Sequence, residues 1–412
     1  MSPPPAFAAT DAAAPLDVLV VGGGLVGASL AIGLGLAGRR VALLEATPTG
    51  RAPAVFDQRN LSCAETTLNA LGALGVLAHL RAPRGPIARI HVSRLGGFGR
   101  AIYDAADHGR RAFGEVIVAS DLGAALEARL AELPAVRRWR PARFLGLGAS
   151  QDGVREVQVE ADGETRSVRT RLLVGADGSD SQVRTALGIA ATRHDYAQTL
   201  FVARVRTNRP PAGLAYERFG PDGPNALLPR GDGHYGAIHG VAREEADAVA
   251  ALDDSAWLAR LQRVFGWRAG RFLAAGPRSA YPIVGVQAAR LVAPRAVLVG
   301  NAAQSLHPIG AQGFNLGLRD AMTLLDVLAD ADDPGADHVL AAHAARRVVD
   351  RAETLRFSDG LARITARRAP WIEPLASAAL LGALQWPAIE ARLLAGAMGW
   401  RGEVPSTCRG TG

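Results

Sequence analysis

The sequence predicts an α/β protein whose parallel, helix-covered sheet is joined to a second unit that is mostly sheet and to a helical C-terminal region. Three observations predict it. A β-branched run at 17–21 meets three consecutive glycines and then a stretch of small and aliphatic residues with no charge. Two later apolar runs, RLLVGADG and RAVLVGNAA, repeat the pattern of a buried strand delivering a polar turn. Between these runs the pattern shifts to short alternating segments, and beyond them to long helical ones.

Taken in order, the elements begin with residues 1–16, which are broken by prolines, lack a basic start and read as a disordered tail, not a secretory signal. A strand at 17–21, a helix at about 25–38 and a strand at 40–45 then make a β-α-β start. Residues 18–38 carry no charge over 21 positions, long enough for a membrane span. Three glycines after a β-branched run nonetheless favour strand, turn and helix, because glycine is poor in a helix interior. A second helix follows near 66–80, and Ser120 reads as the N-cap of a helix through Leu133, stopped by Pro134. ARFLGL, VREVQVEA and TRSVRT alternate as an antiparallel meander. From 199 to 283, strand-like pieces surround one helix at about 255–265. A helix at about 313–328 follows the RAVLVGNAA strand, and 337–399 is largely helical with arginine-rich faces. The expected division is a discontinuous first domain at 17–80, 115–190 and 290–330, a sheet domain at 81–114 and 191–289, and a helical region at 331–412.

Composition narrows the chemistry. The 412-residue chain has 49% apolar and 21% charged residues, within the globular range. It contains no lysine, so its 46 basic residues are all arginine, against 39 acids, for a net charge of +7. That excludes a pyridoxal Schiff base, a lysine aldolase and the lysine of a phosphate-binding Walker loop. Arginine excess is compatible with nucleic acid, an anionic membrane surface or phosphorylated small molecules. It is equally what compositional drift produces, and the arginines are spread along the whole chain. Cys63 and Cys408 are too few for a disulfide framework or a structural zinc site, which fits a reducing compartment.

Gly22, Gly24 and Gly27 make GxGxxG between a strand and a helix, with Glu45 eighteen residues further on at the end of the next strand. In that context the glycines permit a tight turn, close approach to a pyrophosphate and close helix packing, while the helix N-terminus favours phosphate. Glu45 would accept from ribose hydroxyls and disfavours a 2′-phosphate, so this Rossmann-like site suits FAD or NAD over NADP. A second motif, LLVGADGSDSQVR at 172–184, brings Asp177 and Gly178 to a strand end before a serine-capped helix. A third, VLVGNAAQSLHPIGAQGFNLGLRD at 297–320, crowds Gly, Asn and Gln into a turn before another helix.

Together, GxGxxG, then DG, then GN followed by a Pro-containing loop and NLGLRDA resemble the class A flavoprotein aromatic monooxygenases, with the p-hydroxybenzoate hydroxylase fold. FDQRNLS at 56–62, YERFGPDGPNALLP at 216–229, FGWRAGR at 265–271 and RSAYPI at 278–283 look like the ubiquinone-biosynthesis hydroxylases, most like the 2-polyprenyl-6-methoxyphenol hydroxylase branch. The resemblance covers nearly all of the chain after residue 16. It implies that Gly22, Gly24, Gly27 and Glu45 hold the ADP half of FAD, that Arg59 lies near the ribityl side, and that Asp177 anchors the pyrophosphate and nicotinamide side. Asn301 stands where the broad family has Asp and would accept a ribityl hydroxyl through its amide oxygen. His307, Pro308, Gln312, Gly313, Phe314 and Asn315 would lie beside the flavin, with Tyr281, Pro282 and Pro308 near the ring pocket. The chain reads Gly310-Ala311 where the family more often has Ala-Gly, which bears on the loop geometry beneath the flavin.

The reaction so implied is reduction of FAD by NAD(P)H, capture of O₂ as a flavin hydroperoxide and transfer of one oxygen to a polyprenyl methoxyphenol. The cofactor carries the reactive chemistry, so the sequence needs no triad, metal cluster or carboxylate pair; His307 is the one candidate base. Rival readings are a hydroxylase of another ring position, a flavin-dependent prenyl reductase, and a non-catalytic FAD-stabilised assembly subunit. Expected partners are the phenol and O₂, with a membrane surface, other pathway enzymes and a homo-oligomer left open and nucleic acid disfavoured. Trp371, Trp386 and Trp400, among C-terminal arginines, could dock on anionic lipid, which places the protein in the cytoplasm or peripherally on the inner membrane.

Overall fold

The computed structural model describes residues 14–48, 57–97, 99–366 and 387–410. The tail expected at 1–16 lies outside the described residues except at its end, where Leu16 already opens the first strand. Three sheets organise the described residues. The eight-stranded sheet runs Val292–Ala293, Ala296–Leu298, Glu164–Gly175, Leu16–Val21, Val41–Leu44, Val136–Trp139 along its main path. Leu16–Val21 is central and parallel to both neighbours, with Val20 opposite Val174 on one side and Leu43 on the other. Being covered on both faces, it reads as a continuous apolar run without alternation.

Glu164–Gly175 lives in two environments. Its first half pairs antiparallel with Val154–Ala161, which pairs with Ala142–Gln151. Its second half enters the parallel sheet beside Leu16–Val21. The meander and the RLLVG strand are thus joined without a turn.

The helices are α1 (Leu25–Leu36), α2 (Glu65–Ala73), α3 (Ala119–Ala131), α4 (Gln182–Ala186), α5 (Ala246–Ala250), α6 (Asp254–Phe265), α7 (Gln312–Leu328), α8 (Asp337–Ala366) and α9 (Pro387–Ala397). Leu30, Ile32 and Leu34 of α1 share one core with Leu318, Met322 and Leu324 of α7 and with Val18 and Val20 of the central strand. Each such side chain contributes about 1.5–3 kcal/mol by leaving water. The opposite face, carrying Leu19 and Leu44, is sealed by Trp139, Val157 and Val159 around the meander.

The nine-stranded sheet runs Gln304–Ser305, Ser279–Ala288, Ala191–Thr207, Tyr235–Ala242, Gly223–Pro229, Leu214–Gly220, Arg89–Arg94, Arg100–Asp104 along its main path. Trp257, Leu261 and Phe265 of α6 pack with Phe201, Tyr216 and Tyr235 of this sheet. A three-stranded sheet of Asn60–Ala64, Gly114–Val118 and Gly85–Pro86 forms a ladder of its own, with Val116 packed against Ala215 and Leu228 of the nine-stranded sheet.

Local expectations fail at three places. The helix expected at 66–80 ends at Ala73, because Gly75 takes φ +76° and Val76–His79 continues only as a 3₁₀ turn. Ser120 does not cap α3. The preceding strand runs to Val118 and the helix starts at Ala119, so Ser120 falls in the first turn with its N–H donating to the Asp57 carbonyl at 2.8 Å. Among the three C-terminal tryptophans, Trp371 and Trp386 lie outside the described residues, and Trp400 is turned inward, its Nε1 donating to Glu65 Oε2 at 2.7 Å. The uncharged stretch 18–38 folds as strand, turn and helix, and no helix among the described residues is long and apolar enough to cross a membrane.

Candidate active site

The three motifs converge. Gly22 takes φ +107°, and a Cβ there would sit 2.4 Å from the Ala176 carbonyl oxygen, so the first motif packs directly on the second. A Cβ on Gly317 would lie 2.9 Å from the Gly300 Cα, which brings the third motif's strand end against α7. Gly300 in turn rests beside Val26 in the first turn of α1.

At the first motif, Glu45 accepts from the Gly23 N–H at 2.9 Å and the Thr47 N–H at 2.7 Å, one on each oxygen. Each carboxylate oxygen keeps a further acceptor site. α1, with Gly24 at its N-cap, has neither a capping side chain nor an acid in its first turn, and the same is true of α7 behind Ala311. Both helix starts are therefore open to an anion or a polar ring edge. Asp177 is engaged inside the chain: Ser181 Oγ donates to it at 2.5 Å and the Val183 N–H at 3.1 Å, which closes the start of α4. Ser181 caps α4 as expected, accepting from the Arg184 N–H. Asn301 is exposed on the turn Gly300–Ala302.

Between the nine-stranded sheet and α7 lies a cavity of about 440 Å³. Ile90, Val92, Ala215, Phe219 and Leu228 line it from the sheet, and Leu361 and Leu394 from α8 and α9. Gly310, Ala311, Gln312 and Asn315 close it on the α7 side. Asn315 is saturated: its Oδ1 accepts from the Ala64 N–H and Thr67 Oγ1, and its Nδ2 donates to the Ser62 and Ala311 carbonyls. It staples the loop to the three-stranded sheet. Gln312 donates to the Gly310 carbonyl at 3.1 Å, while its Oε1 is buried without a partner. Gly313 stands in the first turn of α7 with no neighbour within 4 Å of where a Cβ would point. Cys63 also lines the cavity, and burial followed by the nearby Glu115 pushes its thiol up to about 12. It is inert.

Other expected site residues lie elsewhere. Tyr281, Pro282 and Pro308 are not among the residues that line the cavity. Tyr281 donates its hydroxyl to Asp57 Oδ2 at 2.7 Å, and the Arg59 guanidinium lies 5.1 Å from its ring centroid while also bonding Asp57. Pro282 is exposed. His307 is buried away from the cavity lining, with both nitrogens committed: Nδ1 accepts from the Ile309 N–H at 3.2 Å and Nε2 lies 3.0 Å from Gln198 Oε1. That pairing places the proton on Nε2. Burial, offset in part by Asp359, lowers its pKa to about 4. Sequence reasoning missed Glu217, which lines the cavity inside the YERF segment.

These residues fit a flavin dinucleotide: two uncapped helix starts, an acid with spare acceptor sites at the second strand end, and an unpartnered amide oxygen at an apolar cavity. Comparison with known proteins agrees. The model of the FAD binding domain family matches residues 15–356. The chain belongs to that family. It is similar to the ubiquinone hydroxylase UbiL of Rhodospirillum rubrum, 35% identical over 371 residues that cover 89% of this chain and 85% of the relative. The 3-demethoxyubiquinol 3-hydroxylase of Escherichia coli is 31% identical over 353 residues, covering 84% and 86%. Among solved structures, p-nitrophenol 4-monooxygenase PnpA from Pseudomonas putida DLL-E4 shares the fold, with a TM-score of 0.76, 21% identity and coverage of 92% of this chain and 96% of that one. With its FAD binding domain and with relatives above 30% identity that are hydroxylases, this chain is a FAD-dependent monooxygenase, with NAD(P)H the reductant typical of such enzymes.

Proposed function

We propose that this flavoprotein hydroxylates the ring of a polyprenyl methoxyphenol in ubiquinone biosynthesis, consuming NAD(P)H and O₂. The observation that carries the reading is the apolar cavity at the uncapped start of α7. At about 440 Å³ it suits a ring and the first part of a hydrocarbon tail. Its lining continues to Ile364 and Leu393, which are 50% and 36% exposed, a route by which a longer tail leaves. The names of the Rhodospirillum and Escherichia relatives support the substrate class.

In this reading Gly22, Gly24, Gly27 and Glu45 hold the ADP half of FAD, Arg59, Asp177 and Asn301 flank its middle, and Gln312, Gly313 and Asn315 face the flavin ring. Bound FAD supplies reduction by NAD(P)H and activation of O₂. The chain's own work is to orient the phenol, exclude water and stabilise charge. His307 acts as a positioning residue that holds the 307–310 loop, because both of its nitrogens are already used. The expected division into FAD-binding, sheet and helical parts belongs to the same reading, as does peripheral attachment to the inner membrane. Failure to float with anionic vesicles would remove the membrane attachment.

The substrate favoured is 2-polyprenyl-6-methoxyphenol; the Escherichia relative's name favours another ring position as the second reading. Oxygen uptake by the purified protein with NADPH and a short-chain 2-prenyl-6-methoxyphenol, with product analysis, decides between them. A hydroxylated ring at the free position supports the first. NADPH consumption without O₂ indicates a reductase, and a yellow protein with no phenol-stimulated oxidation indicates an assembly subunit.

A further inference from the structure

On the strand Leu214–Gly220 the two-residue period sends Ala215, Glu217 and Phe219 toward the cavity. Register sets Glu217 between Val92 on one neighbouring strand and Ala226 on the other, both apolar. Its Oε1 is shut off from solvent and has no hydrogen-bond partner, and no salt bridge reaches it among the described residues. An unpaired carboxyl in such surroundings is costly, and nothing in the fold uses it.

The other polar groups on the cavity wall are few. Arg94, two residues along from Val92, is itself buried, with its Nε unpartnered. Tyr103 and Cys63 face in from their strands, each with burial raising its pKa. Gln312, Asn315 and Thr365 are the polar residues from α7 and α8, and Tyr216 and Ser62 add two more from the sheets. Burial alone pushes the Glu217 carboxyl up to about 8.

We propose that Glu217 is the catalytic base that takes the hydroxyl proton of the phenol bound in this cavity. The inference rests on the preceding reading that the substrate is a phenol. The O–H bond breaks, the proton moves to a Glu217 carboxylate oxygen, and the electron pair stays on the phenolic oxygen. A carboxylate and a phenol become a carboxylic acid and a phenolate, with no change in net charge and no oxidant. The phenolate pushes electron density into the ring, which makes the ring carbon to be hydroxylated a better nucleophile. Arg94 is the cationic residue among those that line the same cavity. An ordinary carboxylate is far too weak a base for a phenol near 10; desolvation of Glu217 closes most of that gap, the usual way a site matches base to substrate.

The test uses the FAD-loaded enzyme with NADPH and short-chain 2-prenyl-6-methoxyphenol. The wild type is expected to show kcat/KM rising with pH through about 8, since only ionised Glu217 accepts a proton. E217Q should lower kcat by about 10²–10⁴-fold and abolish that rising limb, with E217D recovering part of both. Flavin absorbance reports whether each variant still holds FAD. Independently of any variant, the infrared spectrum of the wild type should hold a protonated-carboxyl band that disappears as pH is raised through about 8. An E217Q enzyme with wild-type kcat and pH profile, or no such band, overturns the assignment. Lack of phenol-dependent turnover by the wild type overturns the preceding reading instead.

Discussion

Arg319 Nε donates to Asp350 Oδ2 at 2.7 Å and its Nη2 to Oδ1 at 3.0 Å, a two-pronged pair between α7 and α8 with both side chains sealed from solvent. Arg347 bridges the same Asp350 to Asp320 at 2.7 Å each, so two arginines and two aspartates form one buried array. Gln304 extends it, donating to Asp320 and accepting from Arg351 at 2.8 Å. The NLGLRD motif thus fixes α7 to α8, and both helices contribute to the cavity.

Removing one member of that array leaves the others charged and dry. Asp350→Asn should destabilise the protein by about 3–5 kcal/mol, because Arg319 and Arg347 then share a single acid. Despite desolvation, the two guanidiniums hold the Asp350 carboxyl down at about 2. Its folded pKa is below its unfolded one, so its stabilisation is present above about pH 4 and is lost as pH falls toward 2. Urea unfolding of both proteins across that range should show this acid limb in the wild type and not in the variant.

Much of the local structure around the candidate cofactor site was legible because it depends on local pattern. Leu16–Val21, the glycines and Glu45 lie within one β-α-β unit, where strand, turn and helix signals sit side by side. Glu217 was legible too, yet passed over: period-2 alternation in LAYERFG sets it with Ala215 and Phe219 on one face, and a lone acid on an apolar face is a signal. Tyr281 and His307 were not legible in this way. Their places follow from partners far along the chain, Asp57 and Gln198, whose proximity no spacing records. Ser120 misled because the strand before it runs straight into α3, leaving no room for a separate cap.

His343 on α8 is fully buried and neither ring nitrogen has a partner. Burial, helped by Arg347 and Arg346, depresses its pKa to about 3, and burial likewise takes His239 to about 3 and His307 to about 4. Between these values and the unfolded value near 6.5 the unfolded chain binds more protons, so stability falls as pH drops through that window. His343→Leu removes one of these protons and fills the site with apolar atoms. Its loss of stability between about pH 7 and pH 5 should be smaller than the wild type's by about 2 kcal/mol, read from urea unfolding at the two values.

The Gly310-Ala311 pair carries a conformational cost at its alanine. Both residues adopt left-handed backbone, Gly310 at φ +72° and Ala311 at φ +52°, and only the first is glycine. A left-handed alanine costs about 1–2 kcal/mol. Replacing it by glycine relieves that strain but raises unfolded-chain entropy by about 0.4–1 kcal/mol. Ala311→Gly should therefore stabilise the protein by roughly 0.5–1 kcal/mol, seen as a higher melting temperature, whereas most alanine-to-glycine changes lower it.

Gly27 sits where α1 crosses the end of the central strand, and a Cβ there would lie 2.0 Å from the Gly22 carbonyl oxygen. That oxygen belongs to the turn itself, so no flexible side chain can move aside to make room. Gly27→Ala must push α1 away from the turn that brings Gly24 and the α1 start toward the dinucleotide. Wild-type protein at FAD about 100 times its Kd should gain roughly 2.7 kcal/mol of stability through mass action. The variant should purify with little or no yellow cofactor and should show no rise in melting temperature when FAD is added. A Gly27→Ala protein that keeps one FAD per chain and gains the same stability from it would mean that this glycine serves only helix packing, with the phosphates held elsewhere.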